Sequence, residues 1–123
     1  MILVDTSVWI DHLRRGDEQL SALLTAGQVL AHPFITGELA LGSLANRTVL
    51  INAMQSLEQA TLATDQEVML VIESRSLYGA GIGYVDAHLL ASCLLTPGTQ
   101  LWTRDKRLLS LAFKLDLAAN NAH

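Results

Sequence analysis

The chain opens on a short apolar run, Ile2-Leu3-Val4, which breaks at once into Asp5-Thr6-Ser7. So short a run with helix-capping residues behind it reads as a buried strand ending in the turn that starts a helix. Val8 to Arg15 would carry that helix, and Gly16 stops it. A second helix is expected from Asp17 to Ala26, where Leu20, Leu23 and Leu24 form one apolar face before Gly27. Val29-Leu30-Ala31-His32 repeats the short strand, and Pro33 ends it. Helical segments follow from Phe34 to Leu44 and from Arg47 to Leu57, then a weak strand from Gln59 to Ala63. Asp65 to Ser76 reads as a helix opened by Thr64, with Glu67 at the capping-box position. Gly79-Ala80-Gly81-Ile82-Gly83 is a loop, and Tyr84 to Leu95 is apolar almost all round, which predicts a buried helix. Gln100 to Thr103 is a strand, Asp105 to Phe113 a helix, and a last short strand is expected near Leu115 to Ala118.

Short apolar strands alternating with helices belong to the α/β class, with helices on both faces of a parallel sheet. The expected architecture is a three-layer α/β/α sandwich around a short, mainly parallel sheet. A chain of 123 residues fits one such domain. Its expected extent is residues 1–119, with 120–123 as a frayed tail. In these folds reactive groups collect beyond the carboxyl ends of the strands, where the strand order switches. The position of each acid therefore carries information.

Composition adds three constraints. Half of the residues are hydrophobic and 16% charged, which excludes a disordered chain. The mean hydropathy of +0.33 predicts apolar surface that a partner covers, and so an oligomer or a complex. There is no membrane-length apolar run, no signal-peptide pattern at Met1 and only one cysteine, Cys93, so a cytoplasmic protein is expected. The net charge of −4 opposes nucleic-acid binding unless several acids are neutralised by metal. Two basic groups, Arg14-Arg15 and Arg104-Lys106-Arg107, have the spacing to hold a phosphate backbone, or to sit as solvated helix ends.

Four acids stand out. Asp5 follows the first strand, Asp105 follows the last main strand and opens a helix, and Asp86 lies in the first turn of its helix. Helix capping and the helix dipole account for each of these three taken singly. Glu38 is different: Phe34, Ile35, Leu41 and Gly42 surround it at helical spacing, which predicts a desolvated carboxylate in need of a counter-charge. Gathered together, Asp5, Glu38, Asp86 and Asp105 would repel one another, and a hard divalent cation, Mg²⁺ or Mn²⁺, reverses that penalty. Such a site suits phosphodiester hydrolysis. Thr6, Ser7 and Thr103 are candidates to orient the ligands or the phosphate, with capping as the equal alternative.

These residues also resemble a known family. Val4-Asp5-Thr6-Ser7, Glu38 in the third helix, Gly83-Tyr84-Val85-Asp86-Ala87-His88 and Leu101-Trp102-Thr103-Arg104-Asp105-Lys106-Arg107-Leu108 are similar, in order, to the four motifs of the PIN domain. The short stand-alone length resembles the VapC toxins of toxin–antitoxin pairs. That resemblance implies a Mg²⁺- or Mn²⁺-dependent endoribonuclease that cleaves structured RNA, often transfer RNA, and stops translation. It also implies a homodimer and a small VapB-like antitoxin partner. Two other classes compete. A phosphoacceptor signalling domain needs a pair of acids after the first strand, where this chain has Asp5 alone. A non-catalytic binding domain needs none of the four acids to react.

Overall fold

The computed structural model describes residues 1–119; the expected frayed tail lies outside the described residues. Four strands form one sheet: β1 (Ile2–Val4), β2 (Val29–Ala31), β3 (Glu58–Gln59) and β4 (Gln100–Trp102). Their order is β3-β2-β1-β4, and every pairing is parallel. The helices are α1 (Thr6–Arg15), α2 (Glu18–Thr25), α3 (Pro33–Ala40), α4 (Arg47–Ser56), α5 (Asp65–Ser74), α6 (Tyr84–Leu95) and α7 (Lys106–Lys114).

The α/β architecture follows from burial along the strands. Successive strand residues face opposite sides of a sheet. Leu3 and Val4, Leu30 and Ala31, and Leu101 and Trp102 are all buried, so helices cover both faces. The chain leaves β1 for β2 and β3 on one side and returns to β4 on the other. The switch point is therefore the seam between β1 and β4, where Val4 pairs with Trp102 and the Asp5 amide donates to the Trp102 carbonyl at 2.9 Å. Asp5 and Thr103, each one residue beyond that pair, stand side by side at the carboxyl edge.

Boundaries differ where local signals were weak. α1 starts at Thr6, two residues earlier than expected, because Asp5 itself is the N-cap. α3 ends at Ala40 rather than running to Leu44, as the chain turns at Leu41 and bends at Gly42 and Asn46 takes a left-handed conformation. β3 lies at Glu58–Gln59, earlier and shorter than expected; as an exposed edge strand it carries no apolar signature. The last strand is reduced to a single parallel bridge between Leu101 and Ala118. α6 is the buried helix expected, with Ala87 through Cys93 inside. Burial pushes the Cys93 thiol up to about 12, so it packs as a small apolar side chain. Among the described residues, no helix is long and apolar enough to cross a membrane.

Candidate active site

Asp5 occupies the N-cap of α1, yet its side chain makes no capping hydrogen bond. Its Oδ2 instead accepts from Thr103 Oγ1 at 2.7 Å and from Ser7 Oγ at 3.2 Å. The residue is 8% exposed, so a carboxylate is held at the sheet edge by two hydroxyl donors. Capping does not explain Asp5.

Thr103 ties β4 to this carboxylate. It is fully buried, donates to Asp5, and accepts from the Asp105 amide at 3.1 Å. Ser7 is the second link, since its Oγ accepts from the Arg104 amide at 3.1 Å. Thr103→Val keeps the shape and removes both bonds. It should cost about 1–3 kcal/mol, the scale for stranding a buried polar group. It should also slow RNA cleavage by roughly 10-fold, as expected when a group that orients a ligand is lost. Thermal denaturation and initial rates check both; a variant identical to the parent in rate would show that Asp5 needs no such support.

Asp105 caps α7, its Oδ1 accepting from the Leu108 amide at 2.9 Å. The capping reading is thus correct for Asp105, but it engages one oxygen only. Asp86, in the first turn of α6, is half-buried. Burial raises its pKa most, and the charges of Asp5, Asp105 and Glu38 each raise it further, against a lowering backbone hydrogen bond from Gly83. Asp86 is therefore the acid that feels the other three.

Glu38 departs from expectation in one respect. It is exposed, because Phe34 at 40% and Leu41 at 90% exposure share its solvent side, while Ile35, Thr36 and Leu39 form the buried face of α3. Its Oε1 accepts from Thr6 Oγ1 at 2.8 Å, which turns it toward the start of α1. So Thr6, Ser7 and Thr103 each contact one of the acids.

Among the described residues no three His, Cys, Asp or Glu side chains stand close enough together to hold a metal ion as they lie. The four predicted acids offer hard oxygen donors, the ligand type that Mg²⁺ and Mn²⁺ take, and a divalent cation would have to draw them together. Arg104 is not available to a phosphate in the way its motif suggested. Its guanidinium is clamped by Asp11 and Asp17 and lies over the Trp102 ring at 5.6 Å. The Leu20 amide and then Arg104 hold the Asp17 carboxyl below its ordinary value. Nothing in the sequence spacing signalled this clamp, which joins residues about ninety positions apart. Trp9 and Trp102 are core residues, as expected. His88 is buried against Phe34 and Tyr84, with its Nε2 3.2 Å from Asp65 Oδ1.

The PIN domain profile matches residues 2–114. Ribonuclease VapC32 of Mycobacterium tuberculosis, in strains CDC 1551 / Oshkosh and ATCC 25618 / H37Rv, is 49% identical over 108 residues, covering 88% of this chain and 87% of the relative. With the motifs in order along a parallel sheet of matching class, the chain belongs to the PIN-domain family and to its VapC-type members.

Proposed function

We propose that the chain is a divalent-metal-dependent endoribonuclease, the toxin of a toxin–antitoxin pair, which hydrolyses phosphodiester bonds in structured RNA, transfer RNA foremost, and thereby inhibits translation. The observation that carries this reading is the Asp5 carboxylate, held by Thr103 and Ser7 at the β1–β4 seam where the strand order switches. The name of the 49%-identical relative, a ribonuclease, supports the substrate class.

In this reading Asp5, Glu38, Asp86 and Asp105 hold Mg²⁺ or Mn²⁺. When bound, the cation supplies Lewis acidity at the phosphate and a water ionised enough to attack phosphorus. The chain's own residues set the geometry. Thr103 and Ser7 fix the Asp5 carboxylate through its Oδ2. Thr6 fixes Glu38. Asp105 is anchored by its own helix, one oxygen committed to the cap.

Purified protein should cleave transfer RNA in Mg²⁺ or Mn²⁺ and stop when EDTA is added. Cleavage that continues at full rate in EDTA would remove the metal from the account, and no cleavage under any divalent ion would remove the nuclease. We further propose a cytoplasmic homodimer bound by a small antitoxin. Exposed Leu41, Val49, Leu70 and Met69, at 53–90%, supply apolar surface for those contacts. Light scattering at micromolar concentration should give the dimer mass; a strict monomer would contradict that part.

A further inference from the structure

An acidic protein that cuts RNA needs a local path for phosphates, and the structure narrows where it runs. Of the eight Lys and Arg residues, several are committed. Arg104 is held by Asp11 and Asp17, Arg15 pairs with Asp11, and Arg47 donates to the Ala40 carbonyl. Three of the eight, Lys106, Arg107 and Lys114, fall on α7, whose sequence KRLLSLAFK contains no acid. None of the three forms an ion pair among the described residues, and all are exposed.

Two of the three run against helix electrostatics, Lys114 alone standing in the last turn where a cation is favoured. Lys106 and Arg107 sit in the first turn of α7, where the macrodipole disfavours cations and acids are absent. The cap at Asp105 explains why the helix starts there, but not why cations follow it. The row is also coherent in space. Lys106, Ser110 and Lys114 recur every fourth residue on one face, while Leu108 and Ala112 bury the other. With Arg107 and Leu111 they line a groove whose far wall is Ala80. Arg107 lies against that wall, its Nη1 donating to the Gly81 carbonyl at 3.3 Å. Gly81 has φ +82°, and a Cβ there would meet Nη1 at 2.8 Å, so glycine is what admits the guanidinium. One N–H of five is spent on this contact.

We propose that this groove, formed by Lys106, Arg107, Ser110 and Lys114 beside the glycine loop, is a track for the phosphate backbone of the RNA strand entering or leaving the carboxylates. The inference rests on the ribonuclease reading above. The row begins one residue from Asp105, so a strand seated on it is led to the acids. An acidic peptide has the same charge but no reason to run toward the carboxylate rim, which would repel it.

The test uses Lys106→Ala/Lys114→Ala in an Asp5→Asn background, with anisotropy of a fluorescein-labelled RNA hairpin measured across a range of salt. Both side chains are exposed, so the melting temperature should not change. Affinity should fall roughly 10-fold at low salt, and the slope of log K on log salt should flatten by about 1.4–1.8, two contacts at about 0.7–0.9 each. Lys106→Arg/Lys114→Arg should keep the parental slope. A double alanine variant with the slope and affinity of its Asp5→Asn parent, while the wild-type protein cleaves RNA, overturns the track and leaves the nuclease standing. A wild type that neither binds nor cleaves RNA overturns both. Unchanged RNA binding with release of a co-expressed small partner would make the groove a protein contact, and the proposal would be wrong.

Discussion

Asp5→Asn is expected to lower RNA cleavage by at least ~100-fold while leaving the fold in place, as when a metal-centred transition state loses a charged ligand. The substitution is close to isosteric. The asparagine oxygen still accepts from Ser7 and Thr103, the two hydroxyls that hold Oδ2 in the parent. The nitrogen then replaces the other oxygen, removing both the charge and the lone pairs a cation needs. Stability should change little, because the Asp5 side chain caps nothing. Initial rates on transfer RNA and a melting curve settle it together. A properly folded variant that cleaves at the parental rate would take Asp5 out of the site.

Asp86→Asn should move activity and stability in opposite directions. Cleavage should again fall by at least ~100-fold. The metal-free protein should become more stable by on the order of 1 kcal/mol, the usual gain when a functional site is relieved of strain. That corresponds to roughly 4 °C in Tm for a chain of this size. The sign follows from linkage. Burial, then Asp5, Asp105 and Glu38, raise the folded-state pKa of Asp86 above the ordinary 3.8. The folded protein therefore holds that proton more tightly than the unfolded chain, and stability falls as pH rises from 3.8 through the raised value. Above the raised value the penalty is complete, and asparagine removes it. Below the ordinary carboxylate pKa the two proteins should converge. Melting curves across that range check the claim; a destabilised Asp86→Asn at neutral pH would mean that Asp86 is a structural residue.

Much of this was legible in the sequence because strand ends are legible. Ile2-Leu3-Val4 and Leu101-Trp102 are both apolar stretches cut off by Asp, Thr or Ser, and the seam between them is where the sheet switches order. What failed did so for identifiable reasons. Helical spacing sets Glu38 among Phe34, Ile35, Leu41 and Gly42 but does not tell which of them are buried; Ile35 is, whereas Phe34 and Leu41 are exposed with Glu38. Capping propensity cannot separate Asp5, whose side chain makes no capping bond at its N-cap position, from Asp105, whose side chain does. The difference depends on Thr103, ninety-eight positions away. The basic motif Arg104-Lys106-Arg107 looked like one unit. Tertiary contacts divide it, sending Arg104 to Asp11 and Asp17 and leaving the other two beside Lys114.

The central claim is that these carboxylates hold the cation on which cleavage depends. Titration of Mn²⁺ into chelator-stripped wild-type and Asp5→Asn protein, followed by calorimetry, tests it most directly. The account predicts saturable binding to the wild type and affinity at least ~10-fold weaker in the variant, the scale on which metal sites lose affinity when their donor set is damaged. Superimposable isotherms for the two proteins would contradict it.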